Sequence, residues 1–408
     1  MSTGLSVDSQ LLLLCARGHI DAITKERIGD LASQDLNWAR FCRIVTRHRV
    51  PSMAYHALMQ SCPEAIPTPR LEDLRGKAEA IATKNEKILS VMLEALSLFE
   101  GKDIPVVPFK GVPFALFVYG NLKLRQMSDV DMLVRPADFH RAGELLIRAG
   151  FRRGYFGHAE VATVQTPYWR DGIYIDLHYG ITPLYQHCNM EQARNGGSFT
   201  DAQRNKLDRD STYWHFWLDC EPLWDRLNTL TIGERSVPVF APEDTLLISV
   251  IHGIKENWRL LHRISDLADL VRAHPNMNWE QILERVNTLG CKRKFLLGLL
   301  LAQQLCEMPL PKEVLNKIPI SPTLISLTNQ TRHRVCKNGL SRDYEEFRLL
   351  CALFTMDRFT DRVRYIFYVI RRLRQLSYNR SQWLKFYKTF SAQLAVCFRS
   401  FIPFTKNT

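Results

Sequence analysis

Asp129 and Asp131, one residue apart, lead directly into the apolar run Met132-Leu133-Val134. Side chains on a strand alternate with period two, so both carboxylates fall on one face. Side by side they repel, and a cation between them relieves the cost. Paired hard oxygen ligands suit Mg2+, with Mn2+ as the alternative, because such an ion takes few protein carboxylates and completes its shell with water and substrate phosphate. A third carboxylate on a neighbouring strand would admit a second metal and an in-line phosphoryl displacement. Asp176, in Tyr174-Ile175-Asp176-Leu177-His178, suits that role. It shares a face with His178, while Ile175 and Leu177 take the other. Upstream, Phe109-Lys110-Gly111 ends an apolar segment where a helix begins, and backbone N–H groups at such a start can hold a phosphate. An isolated Asp-x-Asp is commonly a solvated turn. Here the second aspartate enters a strand that a sheet must bury.

The elements that position these residues are legible between about 103 and 180. Ile104–Phe109 is a short valine-rich run bounded by turn signals and reads as a buried strand. Val112–Tyr119 reads as a helix opening at Gly111, with Pro113 in its first turn. Asp129–Val134 is a second strand, stopped by Pro136, and Asp138–Gly150 an amphipathic helix closed by its glycine. Ile173–His178 is a third strand, entered through an Asp171-Gly172 turn. Together they make a small α/β core. The polar stretch Glu191–Asp210, with Gly196-Gly197, reads as a loop or insertion, and 234–240 as another strand. Trp38–Leu58 and Arg70–Leu98 carry apolar residues at helical spacing, as does most of the chain after Glu243. The expected organisation is an N-terminal helical region over 1–100, an α/β core over 101–242 and a C-terminal helical domain over 243–408.

Composition narrows the classes. With 408 residues, 46% hydrophobic and 24% charged, the chain can bury a sizeable core and is neither disordered nor collagen-like. Its ten cysteines are scattered, with no C-x-x-C spacing, which argues against a zinc site or disulfide framework. They read as reduced thiols of a cytoplasmic protein. No stretch approaches the roughly 18 apolar residues of a spanning helix. The net charge is +12, and residues 361–408 hold ten Lys or Arg against one Asp. A positive excess favours anionic partners. In that tail Arg371, Arg372, Arg374, Arg380 and Lys385 interleave with Trp383, Phe386 and Phe390. Such a mixture either binds RNA or a membrane surface, or packs its aromatics on the core and solvates its arginines.

The order strand, Lys110-Gly111, helix, Tyr119, then Arg125-x-x-Ser128-Asp129-x-Asp131-Met132-Leu133-Val134, followed by Ile175-Asp176-Leu177-His178, resembles the uncharacterised nucleotidyltransferase family of the polymerase-beta-like superfamily. Trp38–Leu58, and His252-Gly253-x-Lys255-x-x-Trp258 with Asp266 and Leu267, are similar to helical segments of that family, so the resemblance extends over about residues 10–380. It implies an α+β fold: a small mixed-sheet nucleotidyltransferase core flanked by N-terminal and C-terminal helical regions. It further implies that Asp129 and Asp131 bind a catalytic Mg2+, with Asp176 as third carboxylate. Lys110, Gly111, Arg125, Ser128 and Lys255 are then the candidate nucleotide contacts. The wider superfamily ends its first strand in Gly-Gly or Gly-Ser, whereas here Val112 follows Gly111, so that hydroxyl is missing.

The implied activity moves a nucleoside monophosphate from an NTP to an unidentified acceptor: a sugar phosphate, a peptide or another small molecule. Transfer to tRNA or another RNA is the alternative within this chemistry, and a non-catalytic nucleotide-binding scaffold the alternative outside it. His178 either orients a carboxylate, acts as a base, or is a hydrogen-bonded structural histidine. Lys255 is either a triphosphate contact or a solvated lysine; Asp266 shares a helix side with Asp269 and reads first as a salt-bridge or capping group.

Overall fold

Alternation and turn chemistry between residues 106 and 178 build a mixed five-stranded sheet. The structure is a computed structural model and describes residues 5–154, 164–182, 218–317, 320–337 and 344–375. The strands are β1 (Val106–Phe109), β2 (Asp129–Val134), β3 (Arg152–Arg153), β4 (Gln165–Arg170) and β5 (Ile173–His178), in spatial order β1-β2-β5-β4-β3. β2 and β5 run parallel; every other pair is antiparallel. Asp171 and Gly172 stand at φ 51° and 77°, the left-handed pair that a two-residue hairpin needs. β4 and β5 consequently pair residue for residue, from Gln165 opposite His178 to Arg170 opposite Ile173. The sequence does not announce β3 or β4; Pro167 disguises the latter, since proline is depleted in strand interiors. A separate hairpin joins β6 (Leu227–Ile232), also unannounced, to β7 (Arg235–Phe240) through Gly233. The polar stretch Glu191–Asp210 and the tail residues Arg380, Trp383, Lys385, Phe386 and Phe390 lie outside the described residues.

One face of the sheet is apolar. Val130, Met132 and Val134 of β2 and Ile173, Ile175 and Leu177 of β5 are buried in one core with Ile88, Met92, Leu96 and Phe99 of α5 (Thr68–Glu100). Ala142, Leu145 and Leu146 of α7 (Phe139–Arg148) complete it. Each fully buried aliphatic side chain contributes about 1.5–3 kcal/mol, so the face fixes the register: a one-residue slip of β2 would turn its aspartates into this core. Between the strands, α6 (Gly111–Tyr119) forms as expected.

The stretch Trp38–Leu58 folds as two helices, α3 (Trp38–Arg47) and α4 (Pro51–Ser61). Pro51 has no N–H to extend the ladder, and Arg49 adopts φ 59° while Val50 N–H returns to Val45 O at 3.1 Å. These helices follow α1 (Val7–Cys15) and α2 (Ala22–Ala32).

The chain divides into two compact units. The first comprises Met1–Ser249 and Asp269–Met277, so the N-terminal helices and the sheet belong together. Within it Asp269 accepts from Gly18 N–H at 2.8 Å and pairs with Arg272 at 3.0 Å, a structural role. The second unit comprises Val250–Ala268 and Asn278–Thr408 and is helical throughout its described residues. Its helices include α10 (Trp279–Leu289), α11 (Lys292–Cys306), α12 (Lys312–Lys317), α13 (Pro322–Cys336), α14 (Tyr344–Phe354) and α15 (Phe359–Gln375). The helices α8 (Pro242–Lys255) and α9 (Leu261–Ala273) each contribute residues to both units. Among the described residues no helix is long and apolar enough to cross a membrane.

The motif His252-Gly253-x-Lys255-x-x-Trp258 has a packing explanation. The chain leaves α8 through Asn257 and Trp258, at φ 50° and 54°, with Trp258 N–H donating to Gly253 O at 2.9 Å. The buried indole fills the space over two glycines: a Cβ on Gly253 would stand 2.1 Å from its ring, and one on Gly298 2.6 Å. Gly253→Ala is therefore expected to lower stability by about 1–3 kcal/mol through overpacking, read from denaturant unfolding. Unchanged stability would show that the indole is not seated there.

Candidate active site

The parallel register of β2 and β5 sets Asp131 directly opposite Asp176. Alternation then carries Asp129, Asp131, Asp176 and His178 to the sheet face opposite the apolar core. Ligand atoms of Asp131, Asp176 and His178 lie within 4.8 Å of one another. Asp129 stands two residues back on the same strand face, half-buried, and is not a member of that cluster.

Oδ1 of the buried Asp131 is the focus of the site. Lys110 Nζ lies 2.5 Å from it and His178 Nε2 3.0 Å from it. The other ring nitrogen of His178, Nδ1, is 3.3 Å from the carbonyl of Gly180. Across the strand pair, Gln165 Nε2 donates to Asp176 Oδ2 at 3.2 Å. The Phe109 ring backs the group, edge-on to His178 at 5.0 Å and 4.7 Å from Lys110 Nζ.

The electrostatics follow from this crowding. Burial alone would raise the Asp131 carboxyl, but the Lys110 ammonium and the His178 hydrogen bond outweigh it and hold the group well below the usual carboxylate range. Asp129 moves the other way. Burial, then the charge of Asp131, pushes its carboxyl up against the opposing pull of Lys110, Ser128 and Arg125. Burial also lowers His178, opposed by its bond to Asp131 and reinforced by Lys110.

Local structure explains how the cations arrive. Lys110 sits at φ 57°, the left-handed region that a side chain rarely adopts, at the turn from β1 into α6. Gly111 follows at φ 24°, and a Cβ there would stand 3.4 Å from Asp129 O. The positive φ, rather than want of space, favours glycine there. The loop from α6 to β2 is pinned from below by the fully buried Asn85, whose Nδ2 donates to Leu122 O at 2.7 Å and Arg125 O at 2.8 Å. That loop delivers the buried Arg125, 5.1 Å from the Phe114 ring, and the exposed Ser128, which hydrogen-bonds Asp129. Lys110, Arg125 and Ser128 thus meet at the head of β2. Lys255 is an exposed residue at the end of α8, in the second unit.

Sequence reasoning missed Asn85, Phe109 and Gln165 as members of this environment. Gln165 could have been found by counting back through the Asp171-Gly172 turn from His178. Asn85 carried a signal too, as a polar residue three and seven positions before Ile88 and Met92 on the apolar stripe of α5. Two carboxylates and an imidazole this close together are a donor set that could hold a divalent cation.

Removing Lys110 tests the electrostatics. The folded-state carboxyl of Asp131 lies below its unfolded value, so its stabilising contribution is present above the unfolded pKa of about 4 and is lost as pH falls through the folded value. In Lys110→Met burial acts with less opposition. The variant should be less stable by on the order of 3 kcal/mol at neutral pH, with a deficit that persists down to about pH 4 and shrinks below it. Urea unfolding from neutral pH to below pH 4, in chelator, reads it; a deficit that does not shrink there would refute the ion pair as its cause.

No curated protein matches the chain. Residues 34–307 match the profile of an uncharacterised nucleotidyltransferase family, a narrower span than the 10–380 over which the motifs suggest likeness. The matched span contains β1 to β7 and all the charged groups gathered around Asp131. It exceeds half of the sequence, and on that match this chain belongs to the uncharacterised nucleotidyltransferase family.

Proposed function

We propose that the chain transfers a nucleoside monophosphate from an NTP to the nucleophile of a small acceptor: a sugar phosphate, a peptide or a similar molecule. The observation that carries this reading is the convergence of Asp131, Asp176 and His178 on one sheet face of a nucleotidyltransferase-family chain. In the reaction a bond forms between the acceptor oxygen and the α-phosphorus, the bond to the β-phosphate oxygen breaks, and pyrophosphate leaves.

A divalent cation held by Asp131 and Asp176, with Asp129 alongside, would supply charge neutralisation for the phosphates, and Mg2+ is the ion when carboxylates alone hold it. The chain's own groups do the rest. Lys110 and Arg125 offset negative charge as it accumulates on the departing pyrophosphate. The backbone of Gly111 at the helix start and the hydroxyl of Ser128 take phosphate oxygens, replacing the hydroxyl that Val112 lacks. Asp176 draws the proton from the acceptor group.

The test is to incubate the protein with each labelled NTP and Mg2+, with and without cell extract or total RNA. Label is expected in the small-molecule or peptide fraction, and Asp131→Asn should reduce transfer about 100-fold or more. Full activity in that variant, or in excess chelator, would overturn the mechanism. Label confined to RNA would replace the acceptor class.

A further inference from the structure

Both ring nitrogens of His178 face acceptors. Nε2 stands 3.0 Å from the carboxylate oxygen Oδ1 of Asp131, and Nδ1 3.3 Å from the carbonyl of Gly180. Neither oxygen has a proton to give, and a neutral imidazole carries one N–H. Whichever nitrogen holds it, the other presents a lone pair to an oxygen lone pair. In the tautomer with the proton on Nδ1, donated to Gly180, Nε2 exchanges its hydrogen bond to Asp131 for a lone pair that lies within 4.8 Å of ligand atoms from both Asp131 and Asp176. A cation placed there takes that lone pair. A histidine that ligates a metal almost always donates its other ring N–H to a carbonyl or carboxylate, which is the arrangement at Gly180. The ring is 3% exposed and held edge-on by Phe109, so it is oriented before any ligand arrives.

We propose that His178 Nε2 is itself a metal ligand, giving an oxygen, oxygen, nitrogen donor set from Asp131, Asp176 and His178 that favours Mn2+ or a later first-row divalent ion over Mg2+. Mg2+ favours oxygen donors, whereas first-row transition ions accept imidazole readily. This rests on the metal-dependent reading of the site and narrows it, from an all-carboxylate centre to a mixed one.

The experiment is pulsed electron paramagnetic resonance on the full chain loaded with Mn2+. Nitrogen-14 modulation from a directly bound imidazole is expected. It should change to the nitrogen-15 pattern in protein grown with 15N-histidine, a measurement that needs no variant. In His178→Gln the modulation should vanish and Mn2+ affinity fall about 10–100-fold, with a much smaller change for Mg2+. If that variant fails to fold, the labelled wild-type spectrum decides alone. Among the described residues His178 is the one histidine grouped with two carboxylates. Mn2+ binding that is lost in Asp131→Asn yet shows no nitrogen coupling would overturn the proposal, leaving His178 to position Asp131 in an all-oxygen site. Mn2+ binding that is absent, or that survives Asp131→Asn, would overturn the metal-dependent reading as well.

Discussion

A buried carboxylate at Asp131 is the constraint around which the first unit is arranged. Taking a carboxylate out of water costs several kcal/mol unless charge and hydrogen bonds replace the solvent. Here an ammonium and an imidazole converge on one of its oxygens, from Lys110 and His178. Each reaches it by a separate structural device. Lys110 does so from the turn into α6, at a positive φ that side chains rarely adopt. His178 does so from the end of the strand that pairs in parallel with β2. The same pairing brings Asp176 opposite, adding negative charge where the sheet already holds some.

The two sheet faces depend on one another. The apolar side, packed on α5 and α7, supplies the burial energy that holds β2 and β5 in register. That register is what makes the polar side a site. α5 serves both: Ile88 and Met92 lie in the core, while Asn85, one turn earlier, holds two carbonyls of the loop that carries Arg125, Ser128 and Asp129. A mutation on this helix can therefore change the site without touching it.

The second unit shows the opposite relation between motif and chemistry. Gly253 and Trp258, conspicuous in the sequence beside His252 and Lys255, are explained by an indole packed against Gly253 and Gly298. The family match ends at residue 307, so the basic segment after Asp361 lies beyond it. The family accordingly implies nothing about what the excess charge there meets.

The sequence by itself determined the strands that hold the carboxylates, because period-two alternation and a short apolar run are local signals. It determined the Asp171-Gly172 turn, since only a few residues tolerate two successive positive φ values. It also placed Lys110 and Gly111 at a helix start and paired Asp129 with Asp131 on one face. What it could not supply were partners distant along the chain. The ion pair from Lys110 to Asp131, the hydrogen bond from His178 to the same oxygen and the grip of Asn85 on the loop join residues 21, 47 and up to 40 positions apart. β4 was hidden for a related reason: Pro167 breaks the local signal, and only pairing with β5 makes the segment a strand. The break between α3 and α4 was local, yet the apolar period runs straight through Pro51 and masks it. Pattern along the chain chose the elements, and the tertiary register of β2 against β5 decided which charges would meet, because hydrogen-bonded pairing between strands is the force that sets one carboxylate opposite another.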